Sequence, residues 1–285
     1  MMPDSAFKRF SITTIWVWLI IFAFIPMLLV FITSLLQQGD NELVRLELTL
    51  DNYFELFDPI FFKIFCHSFY VAGLCTLICL VLGYPFAYLL ARMKNRYKNL
   101  LLLFVIIPFW TSSLIRSYAI VAILKTHGIL NSLLLKLGII TEPLHLLYSD
   151  TAALIGLVYT LLPFMILPLY ANIEKLDASL IDAARDLGAN KIRVFIKIII
   201  PLTLPGIIAG SMLVFLPAMS LFFIPNLLGG AKTMLLGNLI QNQFMAARNW
   251  PMGSTVSVAL TLLMGVLLFI YWRTNKNTQE RQGLL

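Results

Sequence analysis

The stretch SLIDAARDLGANKIRVFIKIIIPLTLPG, residues 179–206, is a polar interruption between two long apolar segments. Its pattern predicts a helix, a glycine turn and a second helix. Ser179 is expected to cap the first helix in a capping box with Asp182, three residues later. Gly188 is expected to end that helix, because glycine adopts the left-handed turn conformation most easily.

The second helix of this stretch is expected to begin near Asn190 and to close at Pro201. Its apolar residues recur at helical spacing on one face, and they are Ile192, Phe195, Ile196 and Ile199. The first helix carries small residues that allow another protein to approach closely, together with apolar contacts, and these are Ala183, Ala184, Leu180 and Leu187.

This arrangement of small, glycine and proline positions resembles the cytoplasmic loop of ABC importer permeases. The family pattern is Glu-Ala-Ala, three residues, Gly, nine residues and Ile-x-Leu-Pro. The matching positions here are Asp182, Ala183, Ala184, Gly188, Ile198, Ile200 and Pro201. In that family the loop docks into a groove on the ATP-binding subunit, so the resemblance implies a coupling loop over residues 174–200. The alternative is an ordinary amphipathic loop on the membrane surface.

The composition indicates an integral membrane protein, since 60% of the 285 residues are hydrophobic and only 12% are charged. A membrane-spanning helix needs about 20 apolar residues. Runs without Asp, Glu, Lys or Arg cover residues 10–39, 64–91, 99–115, 151–173, 198–231 and 249–272. The third apolar stretch continues past Arg116 to Leu124. The sequence therefore predicts an all-α, polytopic membrane protein with six transmembrane helices.

The basic residues predict the orientation of the chain. Fourteen of the 21 Lys and Arg lie in the amino terminus, the 92–98 and 174–197 loops and the carboxyl tail, whereas the opposite loops hold six. Because basic residues favour cytoplasmic loops, both termini are expected to be cytoplasmic. This distribution explains the net charge of +7 without nucleic acid. The first outer loop is acidic, with Asp40, Glu42, Glu47, Asp51, Glu55 and Asp58.

Three regions are expected along the chain. Residues 1–64 form an amino-terminal transmembrane helix and an outer loop, residues 65–272 form the permease core, and residues 273–285 form a cytoplasmic tail. The fifth apolar run has 34 residues, about 51 Å as one helix, so prolines at 217 and 225 are expected to break it. Broken helices in membranes are tolerated where they line cavities, which places the translocation path there.

Polar and aromatic residues near these breaks are the candidate path. They are Trp110, Ser113, Tyr159, Phe222, Phe223 and Asn226. Arg116 lies in the outer half of the third span, where an isolated charge is expensive. We expect it to reach the surface or to pin backbone carbonyls rather than to contact substrate. Gly206 and Gly210 form a GxxxG pattern that allows a neighbouring helix to pack closely.

The sequence contains no motif for catalysis, a metal or a cofactor. The nearest string to a nucleotide site, residues 229–233, lacks the glycine before its lysine and is expected to be a turn. The histidines are scattered, and the cysteines, Cys66, Cys75 and Cys79, make no metal-binding pattern. ATP hydrolysis is therefore expected in a separate subunit, and the chain itself is not expected to be an enzyme.

Over nearly its full length the chain resembles the polyamine permease subunits of bacterial spermidine/putrescine importers. The strings that carry the resemblance are LTLDNYFELFDP, CLVLGYPFAYLLAR, PFWTSSLIRSY, IGLVYTLLPFMILPLY and IEKLDASLIDAARDLGANKIRVFIKIIIPLTLPGIIAG. The resemblance implies an ABC type I importer permease fold in the bacterial inner membrane. It also implies a second permease subunit, a dimeric ATP-binding subunit and a periplasmic substrate-binding protein, with membrane lipid around the spans.

Two alternatives remain at the level of sequence. An importer of the same type for iron, thiamine or an opine has the same coupling loop and differs in its binding protein. A secondary carrier is the more distant alternative, because it needs ionisable groups at the membrane midplane. Relatives can carry an acid where this chain has Asn226. We therefore expect charge selectivity to lie mainly in the binding protein and the second permease.

Overall fold

The computed structural model describes residues 4–39, 43–230 and 233–282. Within these ranges six helical segments are long and apolar enough to cross a membrane, as the sequence predicts. They are Lys8–Ser34, Pro59–Arg92, Ser113–Lys136, Asp150–Ile173, Lys191–Ser220 and Trp250–Arg273. The chain divides into two compact units, residues 1–63 with 239–265, and residues 64–238 with 266–285.

The first unit begins with α1, Asp4–Leu19, and α2, Ile25–Ser34, joined by a π-helical turn at Ile20–Phe24. The described side chains of these helices are exposed along most of their length. A short antiparallel hairpin follows, which the sequence does not predict, with β1 at Leu36–Gln37 and β2 at Arg45–Leu48. Residues 40–42, with the acids Asp40 and Glu42, lie outside the described residues.

Polar contacts hold the hairpin region of the first unit together. Helix α3, Asp51–Glu55, places Asn52 so that its Nδ2 donates to the Leu36 carbonyl at 2.9 Å. Ser34 is fully buried; its hydroxyl bonds the Tyr53 hydroxyl at 2.7 Å, and its carbonyl accepts from Thr255 Oγ1 at 3.1 Å. These bonds fix α3 through Asn52 and Tyr53, while Phe54 and Phe57 remain exposed.

The remaining helices lie in the second unit or run between the two units. Helix α4 covers Pro59–Arg92, α5 covers Asn95–Trp110, α6 covers Ser113–Leu124, α7 covers Ile129–Lys136 and α8 covers Asp150–Ile173. The polar loop holds α9, Ala178–Asp186, and α10, Lys191–Val194; then come α11, Ile200–Ser220, α12, Leu236–Met245, and α13, Trp250–Gln282. Some of these helices run across the boundary between the units.

Helices α8 and α11 form the centre of the second unit. Every fourth residue of α8 is almost fully buried, a row that consists of Leu157, Leu161, Met165, Leu169 and Ile173. Spacing of four residues keeps side chains on one face of a helix. The facing helix α11 presents Gly206 and Gly210: a Cβ at Gly206 lies only 2.7 Å from Asn172 Cβ, and one at Gly210 lies 2.8 Å from Met165 Sδ. The GxxxG pattern therefore packs helices within this chain.

The third apolar stretch is not one helix, contrary to the expectation. Helix α5 ends at Trp110, and α6 begins at Ser113 after two residues with extended backbone. Pro108 has no N–H and so removes a helical hydrogen bond, and the Thr111 hydroxyl donates to the Pro108 carbonyl at 2.9 Å. The chain therefore bends between α5 and α6.

The second helix of the polar loop does not close at Pro201, and that prediction was wrong. The chain continues from α10 through a π-helical turn, Phe195–Ile199, directly into α11. In this turn the Ile200 N–H donates to the Phe195 carbonyl, five residues back. Pro201 is the second residue of α11 and follows directly after this π-helical turn.

Candidate functional site

The polar loop between α8 and α11 has the predicted helix–turn–helix form, but its cap differs from the prediction. Asp177 caps α9, because its Oδ1 accepts from the Ser179 N–H at 2.9 Å, and Ser179 lies inside the first turn. This hydrogen bond lowers the pKa of the Asp177 carboxyl below its ordinary value. The cap therefore lies two residues before the predicted one, Ser179.

The turn between α9 and α10 is built on Gly188, as predicted. Its φ is +81°, and a Cβ there meets nothing within 4 Å. The Gly188 N–H donates to the Arg185 carbonyl at 2.9 Å, and the Ala189 N–H donates to the Ala184 carbonyl at 3.0 Å. This pair of bonds is the Schellman arrangement that ends helices at glycine. Asn190 caps α10 through the Arg193 N–H at 2.8 Å, which confirms the predicted restart.

The two short helices leave apolar side chains exposed on the chain. Leu187 is 90% exposed, Ile192 70% and Leu180 49%. Asp182 and Ala183 are exposed beside them, Ala184 and Ile198 are half-buried, and Pro201 is exposed. Ile181 and Val194 are instead buried against the rest of the chain. The helix pair therefore has one anchored side and one free apolar side.

An ion pair and an aromatic cluster anchor this loop to the long helices. Lys98 Nζ lies 2.7 Å from Glu174 Oε1, which joins the start of α5 to the end of α8. The hydrogen bond from Lys98 lowers the pKa of the Glu174 carboxyl. The Tyr84 hydroxyl bonds Thr203 Oγ1 at 2.9 Å in the interior, and the Tyr84 ring stands edge-on to Phe195 at 5.6 Å.

The candidate path residues of α11 and its continuation lie at a break in the chain. Helix α11 ends at Ser220, Leu221 is extended, and a π-helical turn covers Pro225–Gly229. The rings of Phe222 and Phe223 stand edge-on to each other at 6.2 Å. The fifth apolar run is therefore broken, as predicted, but the break lies between Pro217, which is inside α11, and Pro225, which begins the π-helical turn.

Asn238 holds this break in place, and the sequence analysis missed it. It is 3% exposed, its Nδ2 donates to the Phe222 carbonyl at 2.9 Å and also to Asn226 Oδ1, and its Oδ1 accepts from the Leu235 N–H. Gly237 lies directly against the Ser220 carbonyl. Gly237 was an available signal in the sequence, because small residues let helical segments approach each other closely.

The remaining candidate path residues lie in two different parts of the second unit. Trp110, 76% exposed, and half-buried Ser113 flank the break between α5 and α6. Helix α6 packs against the 225–229 turn, which brings the two broken segments together. Tyr159, however, lines a mostly apolar cavity of about 440 Å³ between α4, α5 and α8. Helix α6, which begins at Ser113, thus packs against the turn that follows Phe222 and Phe223, whereas Tyr159 lies in different surroundings.

Arg116 does not pin a carbonyl through its Nε. That atom is buried and has no hydrogen-bond partner within the described part of the chain. Asp150 is the centre of a separate polar cluster: the Thr233 hydroxyl bonds it, and His67 Nε2 lies 3.6 Å from its Oδ2. Residues 231–232 of the glycine-rich turn lie outside the described residues. In the described ranges no three His, Cys, Asp or Glu side chains gather as metal ligands.

The first unit holds an open cavity of about 650 Å³ beside the hairpin. Its lining consists of Asp51, Phe54, Glu55, Phe57, Asp58 and Phe61. Three acids of the predicted acidic loop thus surround one space together with three phenylalanine rings. Carboxylates and aromatic faces are the groups that attract amine cations.

A predominantly helical chain with six candidate spans, broken helices and an amphipathic helix pair between its fourth and fifth spans has the features of a membrane transport subunit of the permease class. The chain belongs to the family described as "Binding-protein-dependent transport system inner membrane component", whose pattern matches residues 83–277. It is therefore a multi-pass protein of the inner membrane.

Individual relatives cover almost the whole chain. The "Spermidine/putrescine transport system permease protein PotB" of Escherichia coli (strain K12) is 52% identical over 273 residues, 96% of this chain and 99% of that protein. The protein of the same name from Haemophilus influenzae is 48% identical over 273 residues, 96% of each chain. A permease chain of the bacterial alginate ABC transporter, solved with an alginate-bound periplasmic protein, aligns with a TM-score of 0.76. It shares 16% identity over 94% of this chain and 93% of that one, which shows a common fold.

Proposed function

We propose that this chain is a permease subunit of an ATP-driven ABC importer for polyamines, spermidine and putrescine, and that it forms half of the translocation path. The observation that carries the proposal is the identity of about one half, over nearly the whole length of both chains, with two proteins named as spermidine/putrescine permeases. An importer for iron, thiamine or an opine remains the alternative of the same type.

The helix pair α9–α10 supplies the coupling surface in this proposal. Its free side carries Leu187 and Leu180 beside the small Ala183, which suits a groove on an ATP-binding subunit. The buried side continues through the π-helical turn into α11. Movement of the ATPases therefore reaches the broken end of the fifth span along one helical segment.

Four further features complete the proposal. The partners are a PotC-like second permease, two copies of a PotA-like ATPase and a PotD-like periplasmic binding protein. ATP hydrolysis belongs to the ATPase, and this chain carries no catalysis. Both termini and the 174–200 loop are cytoplasmic, because the basic residues gather at that end. The substrate path follows Trp110, Ser113, Phe222, Phe223 and Asn226, whereas Tyr159 lines the separate apolar cavity. The open cavity of the first unit offers carboxylates outside the spans.

Uptake of labelled spermidine and putrescine in cells that lack only this gene tests the proposal. We expect uptake to fall to background and to return with the wild-type gene. The control is a strain whose neighbouring ATPase is inactivated in its nucleotide site, which should also lose uptake. Unchanged polyamine uptake in the deletion strain overturns the polyamine assignment. Uptake through this chain that survives ATPase inactivation points to a secondary carrier.

A further inference from the structure

The cavity between α4, α5 and α8 is an apolar space within the spans. Its volume is about 440 Å³, and nine of its ten lining side chains are apolar, the exception being Tyr159. Leu82 and Phe86 line it from α4, and Leu101 and Phe104 line it from α5. A polyamine chain with its positive charges is a poor match for this lining, because charge in an apolar site is costly.

The same two helices meet in a basic turn. Arg92 ends α4, and Lys94, Arg96 and Lys98 open α5. Two of these cations are already engaged, Lys98 with Glu174 and Arg92 with the ring of Tyr88, at 5.6 Å from its centroid. Lys94 and Arg96 are exposed and make no ion pair within the described part of the chain.

The distance from the basic turn to the cavity can be compared with the depth of one bilayer leaflet. At 1.5 Å per residue, Leu101 and Phe104 lie about 8 Å and about 12 Å along α5 from Arg96. One leaflet of a bilayer has a hydrocarbon depth of about 15 Å. A molecule with an anionic head on the turn and an apolar tail in the cavity therefore has the dimensions of a membrane lipid.

We propose that α4, α5 and α8 form a binding site for an anionic phospholipid. Its phosphate lies on Lys94 and Arg96, and an acyl chain fills the cavity beside Leu101 and Phe104. Basic pockets between transmembrane helices are known to hold anionic head groups. The bound lipid lies beside the Lys98–Glu174 contact and so stabilises the base of the 174–200 loop. The site is independent of the substrate that the importer carries.

Lipid retention by the full-length chain tests this site. The chain is placed in nanodiscs that contain equal amounts of phosphatidylglycerol and phosphatidylcholine, then extracted into detergent, and the bound lipids are counted by mass spectrometry. We expect the wild type to retain phosphatidylglycerol in preference to phosphatidylcholine. Retention should fall about tenfold in the Lys94→Gln, Arg96→Gln double variant. It should also fall in Leu101→Trp, whose indole ring occupies the cavity.

Two matched variants serve as controls. Lys125→Gln with Lys136→Gln removes the same charge from exposed positions away from the turn. Leu103→Trp adds the same ring to α5 at a side chain that is exposed and does not line the cavity. Both should retain phosphatidylglycerol as the wild type does, and thermal melting verifies that all variants are folded.

Three outcomes overturn the proposal. Equal retention of phosphatidylglycerol and phosphatidylcholine by the wild type would show that the site does not recognise an anionic head group. Loss of lipid in the charge variant but not in Leu101→Trp leaves only a general attraction to the membrane surface. Loss of a co-purifying second permease in Leu101→Trp, without any change in lipid, assigns the cavity to a helix of that subunit.

Discussion

Gly188 and Gly138 both have positive φ, so the same substitution can be compared inside and outside the proposed coupling loop. Gly188 has φ +81° and Gly138 has φ +67°, and a Cβ at either meets nothing within 4 Å. A β-branched residue is therefore strained at both sites by about 1–3 kcal/mol, with no steric clash. Gly188 lies in the proposed coupling loop, whereas Gly138 lies in the loop between α7 and α8.

We predict that Gly188→Val abolishes polyamine uptake while the protein remains in the membrane. The strain falls on the Schellman turn that orients α9 against α10. Gly138→Val imposes the same kind of strain elsewhere and should retain most of its uptake. Uptake, membrane abundance and co-purification of the ATPase are measured together. Normal uptake and normal ATPase association in Gly188→Val remove the coupling role of the loop.

Asn226, which accepts a hydrogen bond from Asn238, is the position at which recognition of the substrate charge can be tested. We predict that Asn226→Asp supports uptake at or above the wild-type level, because a carboxylate still accepts the hydrogen bond from Asn238 and also attracts a cation. Asn226→Lys should impair uptake through repulsion. Spermidine uptake at equal membrane abundance is the measurement.

The neutral variant Asn226→Leu is the control for this pair, since it removes the acceptor without adding charge. An effect of charge requires Asn226→Lys to transport less than Asn226→Leu. If the aspartate, leucine and lysine variants transport spermidine equally well, Asn226 is remote from the path.

Among the elements, α8 and α11 show how small residues fix a helix pair. Asn172 and Met165 of α8 approach the backbone of α11 at Gly206 and Gly210. Any side chain at these glycines must displace α8. The buried row of α8 from Leu157 to Ile173 then loses its packing against α11.

We predict that Gly206→Val and Gly210→Val each lower the stability of the detergent-solubilised protein by about 1–3 kcal/mol, the usual cost of overpacking. Gly73→Val is the control, because Gly73 is also helical but a Cβ there meets nothing within 4 Å. Thermal melting of the purified variants is the measurement. Equal melting temperatures for Gly206→Val, Gly210→Val and Gly73→Val contradict the close approach of α8 and α11.

At the scale of the whole second unit, two polar contacts join segments that are distant in the sequence. Lys98 with Glu174 joins the basic turn to the 174–200 loop. The Tyr148 N–H donates to the Leu228 carbonyl at 2.7 Å, which joins the start of α8 to the turn after α11. The first contact brings together two loops that the charge distribution assigned to one side. The second brings together two segments assigned to the other.

We predict that Ser113→Cys and Phe222→Cys react with a small water-soluble thiol reagent once the native cysteines are replaced. Substrate-loaded binding protein with ATP should change their reactivity, because alternating access opens and closes the path. Ala218→Cys, at a fully buried position near the same break, should stay inert. If Ser113→Cys and Phe222→Cys are inert in every nucleotide state, the two broken segments do not line the path.

The sequence by itself determined the features that depend on local chemistry. Six apolar runs require six spans because backbone and side chains must suit a bilayer. Gly188 favours a left-handed turn, because glycine adopts positive φ without strain. Pro217 and Pro225 predict an interruption, which occurs between them although Pro217 itself lies inside α11. The family pattern in the 174–200 loop is equally local.

Only the tertiary structure decided which of several permitted local choices occurs. Asp177 rather than Ser179 caps α9, and Pro201 sits within a continuous helix because a π-helical turn precedes it. Asn238 reaches the Phe222 carbonyl across 16 positions of the chain, and Leu101 shares a cavity with Tyr159 of α8. Such contacts depend on how helices pack, and packing is set by distant partners that no short stretch of sequence contains.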